Sequence, residues 1–253
     1  MNDPTLTQDA FLGGRLTVRQ PKTGYRAGID PVLLAASVDA HPGQSVLELG
    51  CGVGVASLCL ATRVPGLSVT GVELQPAYAD LARRNATENH LSVDVITADL
   101  TQLPPDLKAR RFDHVIANPP YFDRQGGPAA RDAGREAALG EATPLGSWID
   151  VATRRLNDGG GLTLIQRIER LPDILTAADQ RLGSLIVCPI SPRPRRAPML
   201  FLLRATKGGK AGFRLRPPLV LHSGAAHTEG PKDYAPQVAS VLAHGAALAA
   251  FSD

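Results

Sequence analysis

The 253-residue sequence has few aromatic residues, only three cysteines and no long apolar run. No stretch approaches the ~20 apolar residues that span a membrane. Its first ten residues have neither the basic region nor the apolar core of a secretion signal. Charged residues at 20% and hydrophobic residues at 43% exclude a disordered or fibrous chain. We therefore expect a globular cytoplasmic protein, with no membrane partner, that buries a core of its own.

Cysteine and histidine are too sparsely placed to predict a metal site. Cys51, Cys59 and Cys188 have no paired or metal-ligand spacing, and the first two lie in apolar surroundings. They are predicted to be reduced core thiols. His114 and His222 likewise lack partners at metal-ligand spacing, so we expect structural or solvent-facing roles for them.

Acidic residues are absent from a long interval near the C-terminus. Between Asp179 and Glu229 there is no aspartate or glutamate. Such a stretch predicts a local positive field suited to a polyanion. A solvated arginine-rich surface remains open as the alternative. The interval carries nine bases: Arg181, Arg193, Arg195, Arg196, Arg204, Lys207, Lys210, Arg214 and Arg216.

The order of apolar runs predicts an α/β fold. From Ser45 onward, short strand-like runs alternate with helical patterns, which is typical of a doubly wound parallel sheet covered by helices. The predicted strands are 45–49, 67–73, 92–97, 112–118 and, after an Asp-Gly-Gly turn, 161–166. The predicted helices are 55–64, 77–89, 144–156 and 172–182. Strands at 184–190 and 199–205 are joined by only eight residues, a connection too short for a parallel crossover, so they should form a reversed hairpin.

The flanking segments are predicted to extend a single domain. A small hairpin around Gly13 and a helix at 30–38 precede the sheet, and a helix at 235–248 follows it. We therefore expect one domain over residues 1–253. Its parts are an N-terminal cap segment (1–44), a catalytic core (45–205) and a C-terminal extension (206–253). Residues 123–143 lack an apolar period and are predicted to form a mobile loop over the site.

A glycine-rich turn follows the first predicted strand. It reads Glu48-Leu49-Gly50-Cys51-Gly52-Val53-Gly54, and its glycines let a ligand lie against the main chain. A dinucleotide site would need a third glycine where Val55 or Ser57 stands. Glu48 would also disfavour a pyrophosphate, whereas it suits a ligand that carries an ammonium group.

Acidic residues also end the next two strands. Glu73 is placed to accept from both hydroxyls of a ribose, and Asp99 from an adenine amino group. Their apolar neighbours Leu74 and Leu100 would pack against the ring. Together with Glu48, these acids predict a nucleoside cofactor at the carboxyl edge of the sheet. S-adenosylmethionine fits, because it carries an ammonium and a sulfonium but no phosphate.

Asn118-Pro119-Pro120-Tyr121 lies directly behind the fourth predicted strand. The two prolines hold the backbone extended and rigid. The Asn118 side chain and the Pro119 carbonyl offer acceptors, and Tyr121 offers a ring face for stacking. A Pro-Pro turn that ends a strand is the alternative on these four residues alone.

Together these motifs resemble class I S-adenosylmethionine-dependent methyltransferases. That resemblance implies a seven-stranded, mostly parallel sheet with a reversed C-terminal hairpin. Within the superfamily, the Asn-Pro-Pro-Tyr motif is associated with methylation of exocyclic amines of nucleobases and of glutamine amides. Residues 24–35, 118–122 and 200–209 are similar to the bacterial tRNA(Val) adenine N6-methyltransferase family, which favours RNA, and tRNA in particular, as the substrate.

The resemblance leaves two alternatives and several site assignments to test. A release-factor glutamine N5-methyltransferase and a non-catalytic cofactor-binding RNA module are the alternatives, and monomer or homodimer stays open. Asn118 is expected to serve both catalysis and cofactor binding. Arg26, Ile29 and Asp30 could approach the methionine end of the cofactor, although Asp30 before Pro31 is the typical N-cap of a helix. The residues expected to meet RNA phosphates are Arg193, Arg195, Arg196, Lys207 and Lys210.

Overall fold

A computed structural model describes residues 3–123, 140–141, 143–224 and 233–252. The strands are β1 (Leu6–Phe11), β2 (Leu16–Pro21), β3 (Ser45–Leu49), β4 (Ser68–Glu73), β5 (Val93–Thr97), β6 (Phe112–Ala117), β7 (Phe122–Asp123), β8 (Gly140–Glu141), β9 (Leu156–Arg167), β10 (Leu182–Ser191), β11 (Leu200–Lys207), β12 (Arg214–Leu215) and β13 (Leu219–Val220). The helices are α1 (Asp30–Ser37), α2 (Val55–Arg63), α3 (Pro76–Glu88), α4 (Pro105–Ala109), α5 (Leu145–Arg155), α6 (Leu171–Ala178) and α7 (Pro236–His244). Most of the predicted loop at 123–143 falls outside the described residues.

Nine of the described strands form one sheet, in the order β12-β10-β11-β9-β6-β3-β4-β5, with β13 also paired to β10. The longer seven of them make the predicted sheet. β3, β4, β5, β6 and β9 run parallel, whereas β11 is antiparallel to both β9 and β10. The α/β class and the reversed hairpin are thus confirmed. The predicted Asp-Gly-Gly turn is wrong, because residues 158–160 lie within β9, which begins at Leu156.

Both faces of the sheet are buried, as expected for a doubly wound fold. Along β3, Val46 packs into a cluster with α1, α2 and α7, whereas Leu47 and Leu49 pack into a second cluster with α5 and α6. Glu48 therefore points from the middle of β3 toward the first of these layers. Cys51, Cys59 and Cys188 are buried and free of disulfides, as predicted.

Parallel register brings the strand ends together. Leu49, at the end of β3, pairs with Val72 of β4 and with Ala117 of β6, and Ala117 pairs in turn with Leu164 of β9. The segments that leave these strands consequently emerge side by side at one edge. The glycine-rich turn and the Asn-Pro-Pro-Tyr motif are two of these segments.

The N-terminal hairpin is held against α3 by Asn85 of that helix and by Asn89, the residue that caps its C-terminus. Asn85 accepts from the Arg19 backbone N–H (2.8 Å) and Asn89 from that of Thr17 (2.9 Å), and each amide donates back to the same residue's carbonyl. Asn85 is fully buried and also donates to the Val53 carbonyl in the glycine-rich turn (3.0 Å). One side chain thus joins the hairpin to the turn.

The C-terminal helix closes on the same N-terminal segment. Arg15 donates to the carbonyl of His244 at the end of α7 (2.8 Å), and the Leu248 backbone donates to the Ala36 carbonyl in α1 (2.8 Å). Among the described residues, no helix is long and apolar enough to cross a membrane.

We predict that Gly71→Ala destabilises the protein by ~1–3 kcal/mol through overpacking. Gly71 lies on β4 behind the glycine-rich turn, and a Cβ there would lie 2.8 Å from the Cys51 sulfur. Gly146→Ala in α5 is the matched control, because its new methyl would meet nothing closer than 4.0 Å. Urea denaturation should show a loss for the first variant and none for the second; equal midpoints would contradict the prediction.

Candidate active site

The glycine-rich turn connects β3 to α2 through backbone conformations that favour glycine. Gly50 has a φ of 65° and Gly52 a φ of 55°, a left-handed conformation that favours glycine. A Cβ on Gly50 would lie 2.6 Å from the Trp148 ring, so the turn and α5 can approach each other only with glycine there. Gly54 is instead the N-cap residue of α2. A Cβ added to it would lie 3.4 Å from the Ala82 methyl.

Glu48 is a buried carboxyl beside this turn. Its side chain is 3% exposed, and Oε2 accepts from the Ser57 backbone N–H (2.9 Å) and from the Ser57 hydroxyl. Burial raises the pKa of Glu48 to about 8, although the two Ser57 donors oppose the shift. The group is therefore poised between its neutral and charged forms, and a bound cation would favour the charged form.

Glu73 is fixed at the end of β4 by backbone donors. Oε2 accepts from the Gly52 N–H (2.9 Å) and Oε1 from the Gln75 N–H (2.8 Å). Burial raises the pKa of Glu73, whereas the backbone hydrogen bonds lower it. At the next strand end, Asp99 Oδ1 accepts from the backbone and hydroxyl of Thr101 (both 2.7 Å). Both carboxylates are thus held in place beside the turn.

The Asn-Pro-Pro-Tyr motif leaves β6 next to this turn. Asn118 Oδ1 is buried and has no hydrogen-bond partner among the described residues. Such an acceptor is costly unless a ligand supplies the donor. The Tyr121 hydroxyl donates to Asp30 Oδ2 at 2.5 Å, which ties the motif to α1. Burial and the neighbouring Asp30 raise the pKa of Tyr121, so the hydroxyl keeps its proton.

The predicted N-cap role of Asp30 is wrong. Ile29 precedes α1 as its N-cap residue, and Asp30 is already helical with its side chain turned to Tyr121. Desolvation raises the pKa of Asp30, and the Tyr121 hydrogen bond lowers it. The Asp30 carboxylate thus accepts a hydrogen bond from the distant Tyr121 hydroxyl, whereas an N-cap carboxylate would accept one from the backbone at the start of α1.

The N-terminal segment forms the opposite wall of the site. The Tyr78 hydroxyl of α3 accepts from the Tyr25 backbone N–H at 2.9 Å. Arg26 lies along the same wall, but its guanidinium donates to Asp9 (2.8 Å) and Thr7 (2.9 Å) on β1. The arginine therefore braces the wall through β1.

These elements enclose one cavity of about 860 Å³ at the carboxyl edge of the sheet. Ile29 and Gly54 are outside its lining. Tyr25, Tyr78 and Trp148 line it although the sequence reasoning missed them; Trp148, the single tryptophan in a predicted helix, was the detectable signal. The expected site residues that do line the cavity are Arg26, Asp30, Glu48, Gly50, Cys51, Gly52, Glu73, Leu74, Asp99, Leu100, Asn118, Pro119, Pro120 and Tyr121.

The lining fits S-adenosylmethionine. Glu48 would hold its ammonium group, Glu73 its ribose hydroxyls and Asp99 its adenine, beside Gly50 and Gly52 in the cavity lining. No group of three or more histidine, cysteine or acidic side chains in the described residues is arranged to hold a metal ion.

An open sheet with one reversed strand, carrying this cavity at its carboxyl edge, defines a methyltransferase dependent on S-adenosylmethionine. Residues 27–178, more than half the chain, match the methyltransferase small domain. The chain belongs to that family.

Curated relatives and solved structures agree with the family. A tRNA1(Val) (adenine(37)-N6)-methyltransferase of Porphyromonas gingivalis is 34% identical over 204 residues, which cover 77% of this chain and 79% of the relative. A Haemophilus influenzae enzyme of the same name is 30% identical over 155 residues, 58% of this chain and 64% of its own. The crystal structure of a predicted O-methyltransferase from Agrobacterium tumefaciens is 29% identical with a TM-score of 0.70, covering 87% of this chain and 98% of its own.

A more distant structure shares the fold. The 16S rRNA N2 G1207 methyltransferase of T. thermophilus, solved with AdoMet and guanosine, is 22% identical with a TM-score of 0.55. The match covers 80% of this chain and 50% of that one.

The basic C-terminal stretch is divided between two edges of the sheet. Arg195 and Arg196 are exposed in the connection from β10 to β11, at the same edge as the cavity. Lys207 and Lys210 lie at the other end of β11, where Lys207 donates to the Leu156 carbonyl (2.9 Å). Antiparallel pairing thus separates residues that the sequence presents as one patch.

Arg193, unlike Arg195 and Arg196, is largely buried. Its side chain is 14% exposed and donates to Asp233 Oδ2 and to the Gly224 carbonyl, both at 2.6 Å. It anchors the β10–β11 connection to the C-terminal segment.

We predict that the protein takes up the cofactor with release of a proton from Glu48. Below pH 8 the free carboxyl holds a proton, because burial raises its pKa to about 8, whereas pairing with an ammonium requires the carboxylate. Affinity should therefore rise from about pH 6 to about pH 7.5, by up to about tenfold per unit. Calorimetry with S-adenosylhomocysteine, which has the same ammonium, measures affinity and proton release in buffers of different ionisation enthalpy.

Glu48→Gln is the control for this titration. It removes the ionisable group, so its weaker binding should show no proton release of this origin. Equal proton release in the variant would contradict the assignment.

Proposed function

We propose that this enzyme methylates the N6 amine of an adenine in RNA, with tRNA as the substrate class, in the cytoplasm. The curated relatives at 30% and 34% identity carry that activity in their names. The observation that carries the proposal is the buried, unpartnered Oδ1 of Asn118 beside the Pro119 carbonyl at the cavity. Two neighbouring acceptors suit a group with two N–H donors, which an exocyclic amine has.

Adenine N6 is a weak nucleophile because its lone pair is delocalised into the ring. When bound, the cofactor supplies a methyl group on a positively charged sulfur. As the N–C bond forms and the S–C bond breaks, positive charge develops on the nitrogen, and the Asn118 oxygen and the Pro119 carbonyl stabilise it. The amine then loses one proton to water, so no side-chain base is needed.

Tyr121 is proposed to stack on the adenine once it leaves its own strand. Stacking of a base on an aromatic ring contributes ~1–3 kcal/mol in single-stranded recognition. The hydrogen bond to Asp30 at 2.5 Å restrains the Tyr121 ring before the base arrives. A restrained ring loses less conformational freedom on binding.

Arg195 and Arg196 are proposed as the RNA phosphate contacts of the cavity edge. Both side chains are exposed. The turn that carries them is anchored to the C-terminal segment by the ion pair of Arg193 with Asp233. Arg195 has a φ of 61°, a conformation that costs a residue with a side chain about 1 kcal/mol. Lys207 and Lys210 are left out of this surface because they lie at the far edge.

We expect Asn118→Ala to lower methyl transfer by about 10²–10³-fold, since one acceptor in the transition state is lost. Cofactor affinity should change little. Asn118→Asp keeps an acceptor oxygen in place and should retain measurable turnover. The assay is transfer of labelled methyl to total RNA and to protein, followed by digestion and mass spectrometry of the modified nucleoside.

Each result of that assay has a definite reading. N6-methyladenosine in RNA supports the proposal, and methylated glutamine in a release factor replaces it. Methylated cytosine or guanine would overturn the adenine assignment alone. Full turnover in Asn118→Ala would remove the proposed role of the amide.

We predict that Arg195→Ala with Arg196→Ala weakens tRNA binding and lowers the slope of log affinity against log salt by about one to two, since two phosphate contacts are lost. Lys207→Ala with Lys210→Ala removes equal charge at the opposite edge and should leave the slope unchanged. Filter binding at several salt concentrations measures both. Equal losses in the two variants would refute the proposed surface.

A further inference from the structure

Gln166 is a buried glutamine that touches the Asn-Pro-Pro-Tyr motif. It lies one residue from the end of β9 and is 0% exposed. Its Nε2 donates to the carbonyl of Pro119 and to the carbonyl of Pro120, each at 3.2 Å. Its Oε1 accepts from the Arg167 backbone N–H at 2.8 Å, which fixes the orientation of the amide.

The motif needs such a partner because its backbone cannot join the sheet. Two successive prolines have no N–H to donate, so a strand ladder cannot hold this segment. The parallel pairing of β6 with β9 continues to Ala117 and Leu164. Two residues further along β9, the Gln166 side chain takes over from the backbone ladder and holds the two proline carbonyls.

A carbonyl oxygen has two lone pairs, and Gln166 uses one on Pro119. The second lone pair remains for a donor in the cavity, which Pro119 lines. Because Asn118 Oδ1 is the other acceptor there, the direction of the Pro119 carbonyl decides whether both N–H groups of an amine can be engaged together. A misplacement of about 1 Å in such a contact can lower a rate about 10²-fold.

We propose that Gln166 is a positioning residue that aims the Pro119 carbonyl at the second N–H of the target amine. The inference rests on the proposed amine methylation. Gln166 itself does not touch the amine; it acts through the carbonyl. The substrate class that requires this arrangement is a primary exocyclic amine or amide, in which both hydrogens are held while nitrogen is methylated.

The test is Gln166→Met, which keeps the length and volume of the side chain but removes the donor. We expect kcat to fall about 10- to 100-fold at saturating RNA, with the dissociation constant of S-adenosylhomocysteine within about threefold of the wild-type value. Gln166→Asn keeps the amide but is one methylene shorter, and should also lose kcat. It serves as the second variant if the methionine protein does not fold.

Thr163→Val is the matched control for the loss of a buried polar group. Thr163 lies on the same strand, is 2% exposed and pairs with Ile116 upstream of the motif. The kcat of Thr163→Val should stay at the wild-type value even if the substitution lowers thermal stability. Wild-type kcat in Gln166→Met would overturn the proposal, and so would a parallel loss of cofactor affinity, which would indicate general disruption of the site.

The wild-type reaction separates this proposal from the function on which it rests. If wild-type protein methylates an amine other than adenine N6, the adenine assignment fails, and the Gln166 variants are measured on that amine with the same expected loss. If the transferred methyl is found on an oxygen, the role of Gln166 falls together with amine methylation. If adenine N6 is methylated and Gln166→Met is fully active, the role of Gln166 alone is refuted.

Discussion

Parallel pairing of β6 with β3 on one side and β9 on the other determines where every reacting group lies. Because all three strands end at one edge, the glycine-rich turn, the Asn-Pro-Pro-Tyr motif and Gln166 emerge within reach of one another. A shift in this register would move the motif away from the turn without changing either segment. The site therefore depends on sheet register more than on any single side chain.

Local patterns in the chain predicted most of the sheet, because the apolar period within a segment is enough to predict a strand or a helix there. The glycine-rich turn and the strand-end acids were found in the same way, since glycine conformation and strand ends are local properties. The two-residue strand β12 and the short helix α4 have too few residues to produce a period, and they were missed.

Contacts between distant segments account for the wrong assignment of Asp30, for the divided basic stretch and for the omission of Gln166. Asp30 before Pro31 has every local sign of a helix cap, yet Tyr121, 91 positions away, takes its carboxylate. The nine bases lie in one interval of the sequence that has no acidic residue. In the fold, the eight residues of β11 separate its two ends by about 25 Å, so the bases that flank it lie at opposite edges of the sheet. Gln166 gave no signal, because a glutamine that ends an apolar strand usually faces solvent. Its role exists only once β9 is paired to β6.

Asn85 of α3 and Asn89 at its C-cap do more than hold the hairpin. β2 pairs with β1 on one side, and its outward backbone groups at Thr17 and Arg19 are taken by Asn89 and Asn85. A strand edge occupied in this way offers no free ladder to another chain. The β2 edge of the hairpin is thereby protected from edge-to-edge pairing, so a homodimer cannot form by adding a strand to that edge.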